Sequence, residues 1–155
     1  MKKIHWKKLL LHIAVPFLVG GISSLLTRSS MAKYQTLNQP PFAPPSFLFP
    51  IVWTTLFLLM GISTYLLAQQ DERKTTPAYR IYALQLLLNF IWPIIFFRLE
   101  AYLFAFMELL ILIIIIWRMI VIFKRIYPLA GNLQIPYLLW TLFAAYLNFA
   151  IYLLN

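Results

Sequence analysis

The residues with the most chemical reach in this chain are tryptophans and amides at helical spacing. Gln85, Asn89 and Trp92 stand at i, i+4 and i+7 and share one face of a helix. Trp140, Ala144 and Asn148 fall within one arc, and Trp53, Phe57, Gly61 and Thr64 repeat the pattern in a third segment. Each face sets an indole beside an amide, a hydroxyl or small residues. Such a set suits a flat apolar ligand, with rings stacked on the indoles and polar edges held by the amides. The competing reading is that the amides only tie helices together, at about 0.6 kcal/mol per pair. Three such faces in one chain favour a pocket.

Conventional enzymology finds nothing to stand on. The chain has no cysteine, which removes thiolate nucleophiles, thiolate zinc sites and disulfides together. It contains no nucleophile–base pair, glycine-rich phosphate loop or metal-spaced cluster, so no metal and no required cofactor are expected. His5 and His12 are seven apart on one face, a spacing that allows axial haem ligation in principle. No further ligand set accompanies them, and interfacial histidines beside a basic N-terminus are the expectation. Glu108 lies about 10 Å into its span if that span starts near Ala101. It reads either as a proton or cation site, as in small drug exporters, or as the partner of a basic residue or hydroxyl on a neighbouring helix or second subunit.

The elements that position these residues follow from composition. Of 155 residues, 63% are hydrophobic and 11% charged, against roughly 45–50% and about 25% in ordinary soluble domains. That excess excludes a soluble α/β enzyme and a disordered chain and leaves a small, single-domain integral membrane protein spanning residues 1–155. Charged side chains are absent from residues 9–27, 34–70, 81–97 and 126–155. Since about 20 apolar residues cross the hydrocarbon core, five helical spans are expected near 7–27, 46–68, 79–98, 101–123 and 133–154. Pro16, Pro50, Pro93 and Pro136 fall in or near spans, where neighbouring helices re-satisfy freed carbonyls. The alternation of a membrane β-barrel is absent. The fold class is therefore an all-α, five-helix membrane bundle.

Connections are short with one exception. Gln69 to Pro77 makes the second link, and Arg98-Leu99-Glu100 the third, so the third and fourth spans must be antiparallel neighbours. The first link, Arg28 to Pro45, is long and proline-rich; such a loop is usually functional, and its prolines stiffen it into a lid over one end of the bundle. Lys2, Lys3, Lys7, Lys8, Arg73, Lys74, Arg80, Lys124 and Arg125 collect on one side, with Arg28, Lys33 and Arg98 on the other. The basic side belongs inside, which places the N-terminus inside and the C-terminus and the long loop outside; a bacterial cell membrane is the expected location. The +9 charge is explained by that topology and by anionic headgroups, and the scattered basic residues do not form a nucleic-acid stripe. Lys2 to Lys8 before an apolar run resembles a signal peptide, but the run reaches Leu26 and no A-x-A site closes it, so a retained helix is expected. Gly20, Ser23 and Ser24 on that helix permit close approach of another.

With these residues in view, the chain resembles the translocator protein family, also called tryptophan-rich sensory proteins or peripheral benzodiazepine receptors. Residues 34–45, YQTLNQPPFAPP, resemble a loop that typically reads W-Y-x-x-L-x-K-P-x-W-x-P-P. The likeness continues through Val52-Trp53-Thr54, Met60-Gly61 and Tyr65-Leu66. It then runs through Gln85-Leu86, Leu88-Asn89, Trp92 and Phe96-Phe97, and through Pro136-Tyr137, Trp140, Phe143-Ala144 and Leu147-Asn148. It departs at Lys33, where the family often has Trp, at Gln39 for Lys, and at Phe42 for Trp, where the ring is kept but the indole donor is lost. No basic residue follows Arg125, so Tyr137, Tyr146 and Tyr152 cannot complete the C-terminal cholesterol-recognition pattern of vertebrate members; looser reversed versions, such as residues 125–129, are weak.

The resemblance implies a homodimer with a ligand pocket capped by the proline loop. It implies tetrapyrrole ligands, above all protoporphyrin IX, and synthetic benzodiazepine-site compounds of the isoquinoline carboxamide kind. Bacterial members are associated with light-dependent oxidative degradation of protoporphyrin. On that basis Trp53 and Trp140 are expected to face the ring as the catalytic pair, since an indole stacks on a macrocycle and can supply an electron to it when photoexcited. Phe57, Gln85, Asn89, Trp92, Ala144 and Asn148 are expected to bind the ligand, with Asn89 and Asn148 on its polar edges and Tyr34 and Phe42 reaching in from the lid. The alternatives are a tetrapyrrole transporter or sensor without chemistry and, more remotely, a small cation exporter centred on Glu108.

Overall fold

A computed structural model describes residues 4–30 and 34–155. It is all-helical among the described residues: α1 Trp6–Thr27, α2 Leu48–Leu67, α3 Glu72–Pro93, α4 Tyr102–Ile126, a short α5 Pro128–Asn132 and α6 Ile135–Leu154. Five helical stretches are long and apolar enough to cross a membrane, as the charge-free segments require. Lys2, Lys3 and Lys33 lie outside the described residues, and the reading that Lys33 replaces a family tryptophan falls there.

Two boundaries differ from expectation. The link expected over Gln69 to Pro77 shrinks, because α3 begins at Glu72. Asp71 caps it, its side chain accepting the Arg73 N–H at 3.1 Å, and the Thr75 and Thr76 hydroxyls donate to the Glu72 carbonyl. Pro77 is tolerated because its missing N–H frees only the carbonyl of the exposed Arg73. At the other end, Pro93 ends the regular helix and Ile94–Arg98 form a π-helical turn. There the Ile94 N–H turns to the Ile91 carbonyl, and the Phe90 carbonyl accepts the Ser23 hydroxyl of α1 at 2.9 Å. A neighbouring helix thus supplies a donor beside the proline. Leu99 and Ala101 N–H groups return to Ile94 and Ile95 carbonyls, and Glu100, at φ 53°, makes the reversal that lays α4 antiparallel on α3.

The core runs down the middle of the bundle: Met60 and Leu67 of α2, Leu86 of α3, and Leu109, Leu112, Ile116, Met119 and Phe123 of α4 are all buried. Outward faces stay apolar, with Leu10, Leu18, Leu25, Phe104, Ile111, Ile114 and Leu153 more than half exposed. Such a surface is unsuited to water and fits contact with acyl chains. Trp6 and Trp117 are likewise exposed.

The long first connection closes one end of the bundle. Tyr34 packs edge-on against Phe49 and Phe97, with ring centroids 6.3 and 5.9 Å away. Asn38 is clasped to the end of α6: its backbone N–H donates to Asn155 Oδ1 at 3.0 Å, and its side-chain amide donates to the Leu154 carbonyl at 3.2 Å. The Tyr146 hydroxyl donates to the Pro41 carbonyl at 3.0 Å. Removing this clasp with Asn155→Ala and Tyr146→Phe is expected to loosen the lid and speed ligand release about tenfold, the effect of roughly 1.4 kcal/mol of lost hydrogen bonding. Stopped-flow displacement measures it, and an unchanged off-rate counts against a lid role.

Candidate ligand cavity

Beneath this lid, α1, α2, α3, α4 and α6 surround a cavity of about 450 Å³, within the range of small-molecule sites. Its walls are mainly apolar and aromatic, with scattered hydroxyls and amides, and no charged side chain lines it among the described residues. Trp53 and Phe57 of α2 lie 5.4 Å apart on one wall, and Phe57 meets Phe17 of α1 edge-on at 5.6 Å. Trp140 of α6 stands between Phe49 and Phe143, at 5.8 and 5.6 Å. Trp92 stacks on Phe96 at 5.2 Å beneath Tyr34.

The expected faces converge, with four exceptions, among them Gly61, which packs against Ile13 of α1, and Thr64, which meets His12. Tyr34, Trp53, Phe57, Asn89, Trp92, Trp140, Ala144 and Asn148 all line the cavity. Gln85 does not: it is wholly buried one turn away from Asn89, between helices. Phe42 is not among the lining residues either; it is 88% exposed on a backbone at φ 67°, and that left-handed turn leaves its ring outside the lid.

The amides divide into two roles. Asn148 is committed to the fold: its Oδ1 accepts the Trp92 indole N–H at 3.1 Å and its Nδ2 donates to the Tyr102 carbonyl at 2.8 Å. It therefore ties α3, the start of α4 and α6 together near the lid end of the cavity. Asn89 is 6% exposed and lines the same space, and its side chain makes no hydrogen bond within the described residues. A buried amide of that kind is the natural partner for a ligand's polar edge. Asn148→Leu strands an indole donor and a carbonyl, so a loss of about 2–4 kcal/mol in unfolding free energy is expected, whereas Asn89→Leu should leave unfolding near wild type and weaken ligand binding. Chemical denaturation in detergent compares the two.

Helical spacing does not mark α1 as a ligand contact, yet its Phe17, Gly20, Ser23 and Thr27 form a whole wall. Their signal in the sequence was the run of small residues, which reads equally as helix contact. Gly20 does both, because a Cβ there would strike the Phe57 ring. The histidines turn away from this space: His12 Nδ1 meets Thr64 Oγ1 at 3.2 Å, and the His5 backbone N–H donates to the Tyr65 hydroxyl. No group of three His, Cys, Asp or Glu side chains that could hold a metal occurs among the described residues.

Burial pushes the Tyr34 hydroxyl above its ordinary titration range, while the Gln39 side chain pulls weakly the other way. Its neutral form is thus favoured in the closed lid. The stabilisation is complete below pH about 10, where the phenol is neutral whether packed or free, and is lost as the pH rises through the elevated value. Lid closure is expected to weaken above pH about 10 in the wild type but not in Tyr34→Phe, read as ligand off-rate against pH.

A small membrane bundle whose aromatic cavity is capped by a proline-rich loop is the class that fold and site define. The chain belongs to the TspO/MBR family, whose sequence profile matches residues 12–154. Among its relatives, the tryptophan-rich protein TspO of Chlorobaculum tepidum is 35% identical over 150 residues, covering 95% of each chain. The tryptophan-rich sensory protein of Cereibacter sphaeroides is 32% identical over 122 residues, 79% of this chain and 76% of that one. The translocator protein of Ovis aries is 33% identical over 119 residues, 75% of this chain and 70% of that one.

Proposed function

We propose that this protein binds protoporphyrin IX or a related tetrapyrrole in the lidded cavity and promotes its light-dependent oxidative degradation. The observation that carries this reading is the convergence of Trp53 and Trp140 on one covered, apolar space. A planar macrocycle between aromatic walls exchanges its contact with water for stacking on the indoles, and Asn89 offers a hydrogen bond to its edge. Because no charged residue lines the cavity, the ligand's carboxylates belong at the lid end, where Arg28 and Arg98 are exposed. Benzodiazepine-site compounds occupy the same space in this reading. The protein acts as a homodimer, with its N-terminus inside.

The chemistry needs no cofactor beyond light and dioxygen. The photoexcited ring takes an electron from an indole and passes it to dioxygen. The superoxide so formed adds to the ring, and the oxygenated ring returns an electron to the indole radical cation. In the net reaction one O₂ adds across a bridging C=C, that bond breaks, two C=O groups form, and no external reductant is consumed. The protein's part is to hold the ring so that one bridge faces the oxygen.

Illumination of the purified protein with protoporphyrin IX under air tests this. The expected result is a ring-opened product formed faster than in protein-free detergent and suppressed by an isoquinoline carboxamide competitor. Saturable binding without a protein-dependent product would instead support a transporter or sensor of tetrapyrroles, a reading favoured by relatives named translocator protein and sensory protein. Loss of proton-coupled cation efflux in Glu108→Gln would be required for the exporter reading, which leaves the aromatic cavity unused.

A further inference from the structure

A second group of polar side chains lies within the bundle, outside the cavity lining. Gln85 of α3 is completely buried, Tyr137 of α6 is 1% exposed and Glu108 of α4 is 9% exposed. The Tyr137 hydroxyl is within electrostatic reach of both Glu108 and the Tyr82 hydroxyl. Tyr82 precedes Gln85 by three residues on α3, and Gln134, completely buried at the start of α6, precedes Tyr137 by three. Each pair therefore shares a helical face. α4, which carries Glu108, packs against both α3 and α6.

None of the Gln85, Glu108, Gln134 and Tyr137 side-chain polar atoms has a hydrogen-bond partner among the described residues. More than nine-tenths of buried polar groups are paired in native proteins, through ordered water where protein groups do not reach. So many open donors and acceptors on facing helices mark a place for small occupants. The charge requirement is equally definite, because an unpaired carboxylate in a membrane interior is costly and the cost is met by one positive charge. No Lys, Arg or His among the described residues supplies it: α3 brings Tyr82 and Gln85, α6 brings Gln134 and Tyr137, and the buried residues of the π-helical turn and α5 are Phe96, Ala130 and Gly131. The donors are all hard oxygens or amides, unsuited to soft metals, and a single carboxylate balances a single charge.

We infer that Glu108 and Tyr137 anchor an internal polar site that takes up water and one exchangeable positive charge. The charge comes either from a proton on Glu108 or from a small monovalent cation held by the carboxylate and the neutral oxygens. This site is distinct from the cavity, though Leu109 and Leu112, on the same helix as Glu108, line that cavity. It does not depend on the tetrapyrrole reading.

The full chain in lipid vesicles tests the inference by infrared difference spectroscopy of wild type against Glu108→Gln, with thermal unfolding in sodium chloride and in choline chloride at neutral pH. A carboxylic-acid carbonyl band that shifts in D₂O and vanishes in Glu108→Gln identifies the proton source. A rise in unfolding midpoint in sodium over choline, lost in Glu108→Gln, identifies the cation source. Tyr137→Phe serves as a second, milder variant and is expected to shift the acid band or weaken the sodium response without abolishing folding. Absence of both signatures in wild type overturns the inference, as does a Tyr137→Phe protein identical to wild type in both.

Discussion

Replacing Trp53 and Trp140 together with phenylalanine is expected to lower light-dependent product formation at least about tenfold, the equivalent of roughly 1.4 kcal/mol in barrier, while protoporphyrin affinity falls far less. The reasoning separates two properties of an indole. Phenylalanine keeps an aromatic face for stacking, so the cavity stays apolar. It is a much poorer electron donor, so the transfer from protein to excited ring is lost. Trp140 should be the more sensitive position for binding, because it faces the cavity and also borders an outer groove of about 430 Å³ between α2 and α6, lined by Ile51, Val52, Pro136 and Phe143. A smaller ring there opens a gap towards the lipid. Absorbance decay and product mass, followed alongside binding measured by fluorescence quenching, distinguish the two effects. Unchanged product yield in the double variant would falsify the electron-donor role.

The second large effect is structural. A Cβ on Gly61 would lie 2.5 Å from the Ile13 Cα and 2.9 Å from its backbone N, so the obstruction is main chain and cannot rotate aside. Gly61→Ala must push α1 off α2, and a loss of about 3 kcal/mol in unfolding free energy is expected. Because α1 supplies a wall of the cavity, ligand affinity should fall in the same variant. Gly21→Ala is the control: nothing lies within 4 Å of a Cβ there, and the substitution is expected to be neutral or to stabilise by up to about 1 kcal/mol through helix propensity. Unfolding of both variants in one detergent reads the difference directly, and equal stabilities would show that the α1–α2 contact is not tight.

Much of the architecture was legible because a bilayer imposes simple rules. Charge-free segments located the spans to within a few residues, except at α3, whose start moved from 79 to 72 because Asp71 caps a polar turn that extends the helix beyond its apolar part. The brevity of the link at Arg98 to Glu100 implied antiparallel α3 and α4, but the π-helical turn that achieves it follows Pro93, beside the Phe90 carbonyl that accepts the Ser23 hydroxyl of α1. Such a contact between distant residues leaves no periodic trace.

The candidate site divides along the same line. Spacing alone placed Trp53 with Phe57, Asn89 with Trp92, and Trp140 with Ala144 and Asn148 on common faces, since 3.6 residues per turn is a property of each helix by itself. Spacing does not set how each helix is rotated against its neighbours, and that rotation decided the roles. It left Asn89 open to the cavity, engaged Asn148 with Trp92 and Tyr102, and sent Gln85 into a separate polar interior. It also turned the small residues of α1 into a cavity wall, while a left-handed turn carried Phe42 outside the lid. The membrane class, the spans and the aromatic faces were thus determined by the chain's own sequence, through hydrophobicity and helical period. Which polar groups meet a ligand was decided only by packing, because a buried amide bonds whatever tertiary neighbour comes within reach.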